Sequence, residues 1–591
     1  METTNSSNTN ISDSTVDQSI STPAPVTEKT ETVNEDKKLS TVEEYKNKKT
    51  NRLLTFIGLQ VALFLSALDS TIISTALPRI GSDFNQMTIV SWVATAYILT
   101  FDAFQPLFAK FSDIFGRKWI LMFGIGLFLF GSVLCGAATT MIMLIVARAI
   151  AGIGAAGINS MVFIIISDIV PLEKRGSYQG IINAVFALAS VFGPLIGGSF
   201  TDYVTWRWNF YINLPIGAVA VAVLLYFLRL PTPKSKLSEK LKRVDYIGTV
   251  IVLAFSTLFL LALNFGGQTF PWKSAAVIVP LVLSVLLVGL LMVVEKKFAK
   301  EPLMPPRLFR NRSVVSVLFV NWFFGMSFFS AVYYLPVYFQ VVRNDSAMWS
   351  GIRLIPMQLV LCFISTLAGL TISKTGVYRP MICIGMGLMT LWIGLTTLYD
   401  QTIPFSQIYG ITILGSGSLG CLFSSTIIAL QASVEIKDIA VVTGLGNFSR
   451  ILGGALGVAI SSAVLNSHLN QELPNLLPID EATKVIQSSE YVNHGLPEQY
   501  KVLAIEVYVH GLQMIWYVLI AMSGLGFIAS FFVKHHSVRR HVKAAAAAKQ
   551  GNEADKVDDV VVEIASSIEE EIKDGSVLSK TERKVNASSP E

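Results

Sequence analysis

Apolar stretches of about twenty residues recur along most of this 591-residue chain. A helix of about that length crosses the hydrocarbon core of a bilayer, which is about 30 Å thick. Each backbone group left unpaired in lipid costs several kcal/mol, and a helix pairs these groups within its own segment. The stretches lack the alternating pattern of barrel strands. The sequence therefore predicts an all-α polytopic membrane protein whose main partner is the lipid bilayer.

The apolar stretches number fourteen between Leu53 and Val533. They cover residues 53 to 77, 90 to 109, 119 to 138, 141 to 167, 177 to 201, 209 to 229, 246 to 265, 274 to 294, 313 to 338, 350 to 372, 380 to 398, 405 to 431, 440 to 465 and 512 to 533. The predicted domains are a disordered tail over 1 to 50, a six-helix bundle over 51 to 230, a linker with two extra helices over 231 to 312, a second six-helix bundle over 313 to 533 that includes a non-cytosolic loop over 466 to 511, and a disordered tail over 534 to 591.

The basic residues fall into short clusters between the apolar stretches. These clusters lie at 110 to 118, 173 to 175, 229 to 243, 295 to 312, 374 to 379 and 534 to 543. Lys and Arg accumulate on the cytosolic side of membrane proteins, so this pattern places every cluster and both termini in the cytosol. With a formal net charge of only +5, the clusters indicate membrane orientation, and no nucleic-acid partner is expected. We expect a monomer.

An internal repeat relates the two predicted bundles. A shift of 260 residues places the loop 109 to 116 on 369 to 376, Gly193 on Gly453, and Gly197 on Gly457. Two parallel six-helix repeats are the architecture of a rocking transporter with its substrate site between the halves.

The loop after the second stretch resembles the signature loop of major facilitators. It reads Lys-Phe-Ser-Asp-Ile-Phe-Gly-Arg-Lys from Lys110 to Lys118, and the four residues of interest are Asp113, Gly116, Arg117 and Lys118. Gly116 permits a tight turn, and the charges at the helix ends can form pairs that break when the bundles rock. The second copy of the loop has Ser373 in place of the acid, so we expect a one-sided cytosolic latch.

A glycine-rich segment in the fifth stretch resembles the antiporter motif of drug exporters. It contains Gly193, Pro194, Gly197 and Gly198, and its interpretation without the resemblance is a helix-packing face. Together with the segments 68 to 73 and 206 to 217, it resembles the fourteen-helix drug:proton antiporter family of fungi. That family includes multidrug exporters and vacuolar importers of basic amino acids, so the resemblance implies the plasma membrane or the vacuolar membrane.

Four ionisable residues lie well inside predicted spans: Asp69, Asp102, Arg148 and Arg450. Charges inside a bilayer are costly and are functional candidates by default. We expect these four residues to form a paired cluster around a central cavity, in which Asp69 or Asp102 carries the coupling proton and Arg148 tunes it. The alternatives are structural salt bridges for the two arginines and a solvated helix kink before Pro106 for Asp102.

Polar and aromatic residues of the second bundle are candidates for a substrate-binding wall. They are Asn321, Tyr334, Gln358 and Asn447. Tyr rings can stack on a cationic substrate, although aromatic residues near helix ends are more often interface anchors. The expected division is proton handling in the first bundle and substrate selection in the second.

Motifs for other kinds of chemistry are missing from the sequence. The G-x-G-x-x-G match at Gly152, Gly154 and Gly157 lies inside an apolar stretch with no preceding strand, so it indicates helix packing. No Walker sequence, metal-ligand spacing or nucleophile triad stands out. The sequence therefore predicts no enzyme, no metal and no cofactor. It predicts a proton-coupled antiporter that moves cationic or amphipathic organic solutes out of the cytosol; the alternative is a transporter-derived nutrient sensor.

Overall fold

The computed structural model describes residues 49–86, 89–230, 236–266, 270–299, 301–487 and 491–535. Fourteen long helices dominate these residues. They are α1 (Lys49–Ile72), α2 (Trp92–Phe115), α3 (Arg117–Gly136), α4 (Met141–Ile169), α5 (Arg175–Tyr203), α6 (Asn213–Phe227), α7 (Tyr246–Phe265), α8 (Ala275–Lys297), α9 (Arg312–Val337), α10 (Ala347–Thr375), α11 (Arg379–Thr396), α12 (Phe405–Ala432), α13 (Ile439–Leu476) and α14 (Glu498–Phe531). Shorter helices are Leu77–Asp83, Trp208–Tyr211, Leu237–Lys242, Ile479–Gln487 and Tyr491–His494.

Each predicted span falls on one of these helices. Within the described residues, thirteen helices are long and apolar enough to cross a membrane. The remaining predicted span, residues 90 to 109, falls on α2. This helix has the required length but is less apolar because it carries Asp102, Gln105, Lys110 and Asp113. The all-helical class and the long apolar helices agree with the sequence prediction.

Residues 466–511, predicted as a loop, are largely helical instead. The helix α13 continues to Leu476, α14 begins at Glu498, and Ile479–Gln487 lies between them. Leu473, Val485 and Tyr508 are buried there, and the Tyr508 hydroxyl donates to the Val485 carbonyl at 3.1 Å. The apolar residues of this segment are part of the hydrophobic core of the second bundle, and the mixed composition of the segment hides them in a search for long apolar stretches.

The repeat of the sequence is visible in the geometry. Gly116 and Gly376, which the 260-residue shift pairs, both have positive φ, +99° and +75°. Gly193 and Gly197 of α5 pack against α1 and the turn that follows it, as Gly453 and Gly457 of α13 pack against α9. The first bundle (α1–α6) and the second bundle (α9–α14) therefore repeat one packing arrangement, with α7 and α8 inserted between them.

The two bundles touch at the end of the helices that carries the Lys and Arg clusters, which we call the basic end. The Arg175 guanidinium donates to Gln431 at 2.8 Å, and Asn183 donates to Ser365 at 2.5 Å. Gly176 of α5 and Gly369 of α10 bring their backbones together, since a Cβ at Gly369 would lie 2.1 Å from the Gly176 carbonyl oxygen. The basic end is therefore closed by direct contact of α5 with α10 and of α2 with α13, where Ala109 meets Gly444.

Replacing Gly369 with Val should open the basic end. A side chain there collides with the backbone of α5, whereas Gly351 of the same helix has open space around it. In a chain whose other cysteines are replaced, we expect Cys362, which lies beside the Asn183 carbonyl at 3.2 Å, to react faster with a maleimide. Gly351→Val is the matched control; equal labelling in both variants would contradict this account of the closure.

Candidate functional site

Asp69 and Arg148 form a buried ion pair in the first bundle. Arg148 Nη1 lies 2.6 Å from Asp69 Oδ2, and the Asn213 amide donates to Asp69 Oδ1 at 3.0 Å. Arg148 Nε donates to the Val93 carbonyl at 3.1 Å, and the guanidinium lies 4.1 Å from the centre of the Tyr97 ring. A buried pair that is neutral and fully hydrogen-bonded is tolerated, whereas either charge alone is not.

The pair lies away from the basic end. Asp69 is three residues before the last residue of α1, and Arg148 is seven residues after the first residue of α4. Asn213 was not singled out from the sequence, although it lies in the segment 206 to 217. It is 144 residues from Asp69, and nothing in the local pattern indicates this contact.

Asp102 lies on α2 and is completely buried. Neither of its carboxylate oxygens has a hydrogen-bond partner among the residues that the structure describes. The predicted cluster of four paired charges is therefore wrong: Arg148 is saturated by Asp69, and Asp102 is left without a cation because the two acids lie on different helices at different depths.

Three further buried amides of the first bundle were missed by the sequence analysis. Gln60, Gln105 and Asn159 each have buried side-chain atoms without a partner in the described part of the chain. They lie 11, 10 and 10 residues from the basic-end terminus of their helices (60 − 49, 115 − 105, 169 − 159), or about 15 Å. Isolated Gln and Asn inside apolar stretches are the signal that would have found them.

Arg450 of α13 is the buried cation of the second bundle. Its side chain lies in no ion pair among the described residues; it donates to Asn447 Oδ1 at 3.0 Å and lies 4.8 Å from the centre of the Phe423 ring. The Asn321 amide donates to the Gly446 carbonyl at 3.3 Å, which links α9 to the same part of α13. Arg450 and Asn447 therefore form a polar pair on α13, and Asn321 of α9 bonds to the backbone next to Asn447.

The other two candidates for the wall lie farther from the basic end. Gln358 of α10 is half-buried and 17 residues from Thr375, and Tyr334 of α9 is buried and 22 residues from Arg312. Arg450 is 11 residues from Ile439. At about 1.5 Å per residue, Gln358 lies about 9 Å and Tyr334 about 16 Å beyond Arg450 along the bundle. The structure thus divides the predicted wall into two levels.

The signature loop makes its charge contacts within the first bundle. Arg117 lies 2.5 Å from Asp113 and 2.9 Å from Asp168, and so joins α2, α3 and α4. The Lys118 ammonium donates to the Leu225 carbonyl of α6 at 2.7 Å. These contacts brace one bundle at its basic end, whereas the two bundles are joined there by α5 with α10 and by α2 with α13, at Ala109 and Gly444.

The signature loop also contacts the linker. Glu301, which follows α8, lies 3.1 Å from Lys110 and 2.6 Å from Arg243. Although burial raises the pKa of Glu301, its hydrogen bonds to Arg243 and Lys110 outweigh that effect and hold the pKa below its usual value. The carboxylate therefore stays ionised and ties the linker to the end of α2.

The glycine-rich motif of α5 provides close packing. A Cβ at Gly197 would lie 2.3 Å from the Ile72 carbonyl oxygen, and one at Gly193 would lie 2.1 Å from Thr71 Oγ1. Gly198 has no such neighbour within 4 Å, and Pro194 is exposed. Among the glycines of this motif, Gly193 and Gly197 are therefore the ones that bring α5 against the end of α1.

Gly197→Ala and Gly198→Ala form a matched pair for this packing. Alanine favours a helix over glycine by about 1 kcal/mol at either position. We expect Gly198→Ala to keep or raise the unfolding temperature in detergent. Gly197→Ala should lower it, because overpacking costs about 1 to 3 kcal/mol. Equal effects of the two changes would show that the contact with Ile72 is not tight.

Comparison with known proteins gives a family match and relatives that align over most of both chains. Residues 59–458 match the model of the Major Facilitator Superfamily. The efflux pump FUS6 of Gibberella fujikuroi is 37% identical over 497 residues, which cover 82% of this chain and 89% of that protein. The efflux pump dotC of Dothistroma septosporum is 36% identical over 485 residues, covering 81% and 83%.

Solved structures share the fold at low sequence identity. The human organic anion transporter MFSD10 matches with a TM-score of 0.53 and 14% identity, over 81% of this chain and 99% of that one. A bacterial homologue of the human lysosomal transporter Spinster, in an inward-facing state, matches with a TM-score of 0.51 and 15% identity, over 82% and 98%. These likenesses concern the architecture alone.

Proposed function

The chain belongs to the Major Facilitator Superfamily and is a membrane transporter, and we propose that it is a proton-coupled antiporter that exports small organic solutes from the cytosol. Export is supported by the relatives, FUS6 and dotC, which are named as efflux pumps. The solutes are amphipathic or cationic compounds, and the protein works as a monomer in the plasma or vacuolar membrane with both termini in the cytosol.

The proposal of proton coupling rests on the Asp102 carboxylate, which has no hydrogen-bond or ion-pair partner among the described residues. An ionised carboxylate without a partner in a dry interior is strongly disfavoured, and such a group takes up a proton instead. Asp102 is fully buried and has no partner among the described residues, while Asp69 is already neutralised by Arg148. We therefore assign the coupling proton to Asp102, and a structural role to Asp69 and Arg148.

The closed basic end gives the order of events. With α5 and α10 in contact, Asp102 is shut off from the basic side and holds its proton. Separation of Gly176 from Gly369 opens the basic side, where Asp102 loses the proton and the substrate enters. An empty carrier returns only with Asp102 neutral, because an unpaired carboxylate is costly in lipid. The loaded carrier moves with Asp102 ionised because the substrate supplies the carboxylate with a positive charge or a hydrogen-bond donor. Outward movement of substrate is then linked to inward movement of a proton.

Flux in proteoliposomes with an imposed pH gradient tests this function. Labelled arginine, an amphipathic aromatic ketone and a cationic dye serve as probes. Movement of any probe that follows the gradient and stops with a protonophore supports antiport. Ligand-dependent binding of a partner protein without flux of any probe would favour the second candidate, a nutrient sensor.

A further inference from the structure

We infer that residues 301–311, which follow α8 and which we call the strap, latch the basic end shut. The latch is the ion pair between Glu301 of the strap and Lys110 of α2, and it has to break before the bundles can separate there. It acts on the closure of the basic end alone, whatever the solute and whichever acid carries the proton.

One end of the strap is fixed to the second bundle. The Asn311 amide donates to the Ser433 carbonyl at 2.7 Å, and Arg307 lies 2.7 Å from Asp438, the residue before α13. Leu308 is buried in the apolar core that the strap shares with α9 and α13. The residue after the strap is the first of α9. This end of the strap therefore moves with the second bundle.

The middle of the strap is fixed to α8. The buried Glu295 side chain near the end of α8 accepts a hydrogen bond from the Met304 backbone N–H at 2.9 Å, and Leu303 and Met304 are themselves buried. These contacts determine the course of the strap between α8 and α9. Glu301 is therefore held at a defined position and does not follow α2 freely.

The other end of the strap reaches the first bundle. Glu301 lies 3.1 Å from Lys110, which is the residue after Ala109 on α2. Ala109 is where α2 meets Gly444 of α13, so the ion pair lies at the seam between the bundles. The Glu301 and Lys110 side chains are only 28% and 14% exposed, and charges sheltered from water are screened less than exposed ones. The pair therefore joins the two bundles across their seam.

Arg243 binds the same carboxylate without crossing the seam. It lies 2.6 Å from Glu301 and belongs to the segment between α6 and α7, so this pair joins two parts of the linker. Lys110 belongs to α2 and moves with the first bundle. Separation of the bundles therefore removes Lys110 from Glu301 and leaves Arg243 in place, which makes Arg243 a matched control.

Opening of the basic end carries Lys110 away from Glu301. Rigid-body rotation at an interface repacks the salt bridges there. The pair exists only in the closed state, so it shifts the equilibrium toward closure by its own interaction free energy. Although burial raises the pKa of Glu301, its hydrogen bonds to Arg243 and Lys110 hold that pKa below its usual value. The latch thus stays charged at cytosolic pH and responds to salt instead.

Labelling of Cys362 measures the release of the latch, because both seams open when the bundles rock apart. In the purified full chain with its other cysteines replaced, the rate of reaction with a maleimide is compared for the otherwise wild-type protein, Lys110→Met, Glu301→Gln and Arg243→Met. We expect Lys110→Met and Glu301→Gln each to raise the rate about fivefold, the effect of losing a partly exposed ion pair. Arg243→Met should not raise it, and Lys110→Arg should keep it near the wild-type rate.

Salt provides a second readout that a merely structural role would not move. Raising the salt concentration from about 0.01 to about 1 M shortens the screening length from about 30 to about 3 Å. The wild-type labelling rate should rise with salt, whereas Lys110→Met should react fast at every salt concentration. Unfolding temperatures identify variants that fail to fold, and if Lys110→Met is one of them, Glu301→Gln carries the test.

Equal labelling rates in Lys110→Met and Arg243→Met would overturn the latch, as would an equal response to salt in wild type and Lys110→Met. Either result would show that the pair does not hold the basic end closed. Proton coupling is read from the pH dependence of flux and the Asp102 variant, so it stands or falls without this result.

Discussion

Replacing Asp102 with Asn should abolish proton-driven transport while leaving exchange of substrate for substrate intact. Asparagine has the size of a protonated aspartic acid but cannot release a proton, so the carrier cycles as if permanently protonated. Asp102 has no partner among the described residues, and its replacement by a neutral group breaks no described contact. We expect pH-driven flux to fall to the level of empty liposomes. Flux is measured with and without an imposed gradient.

The variant Asp69→Asn tests whether Asp69, rather than Asp102, carries the coupling proton. Asp69 accepts from Arg148 and Asn213, so its replacement should lower the amount of folded protein but leave the folded fraction proton-coupled. Coupling that survives in Asp102→Asn and is lost in Asp69→Asn would reverse the assignment.

Breaking the Asp69–Arg148 pair should cause the largest loss of stability. Removal of one partner of a buried pair leaves a charge without compensation and costs about 3 to 5 kcal/mol. We expect Arg148→Met alone to give little folded protein. The double variant Asp69→Leu with Arg148→Met should recover much of the loss, because apolar residues of similar volume often replace a buried pair without penalty. Thermal unfolding in detergent and the yield of monodisperse protein measure both.

Arg310→Met is the control for loss of a positive charge, because Arg310 is exposed at the basic end. A double variant no better than Arg148→Met would contradict a structural role for the pair, and would indicate that the charges themselves are needed.

The positions of the helices could be read from the sequence because the bilayer fixes their length. Depth within a span could also be counted, and the four residues selected in this way, Asp69, Asp102, Arg148 and Arg450, are all buried. The side-chain partners of these residues could not be predicted by counting along the helices. It depends on which face of each helix meets a neighbour, and Asp69 meets Arg148 and Asn213 at sequence separations of 79 and 144 residues.

The contacts that close the basic end were also not predictable from the sequence. The charged residues of the signature loop led us to predict a latch at the cytosolic side. In the structure, Arg117 contacts Asp113 and Asp168 of its own bundle. The backbones of the two bundles meet at Gly176 and Gly369, and Ala109 meets Gly444; these small residues carry no polar side chain that would indicate the contacts in the sequence. The repeat in the sequence relates the bundles to each other but does not say where they touch.

The assignment of the coupling proton to Asp102 is tested most directly by infrared difference spectroscopy of the purified protein between alkaline and acid pH. A protonated carboxylic acid has a C=O stretching band that a carboxylate lacks. The account predicts a band from a buried carboxylic acid in wild type and in Asp69→Asn, and its loss in Asp102→Asn. A band that persists in Asp102→Asn and disappears in Asp69→Asn would contradict it.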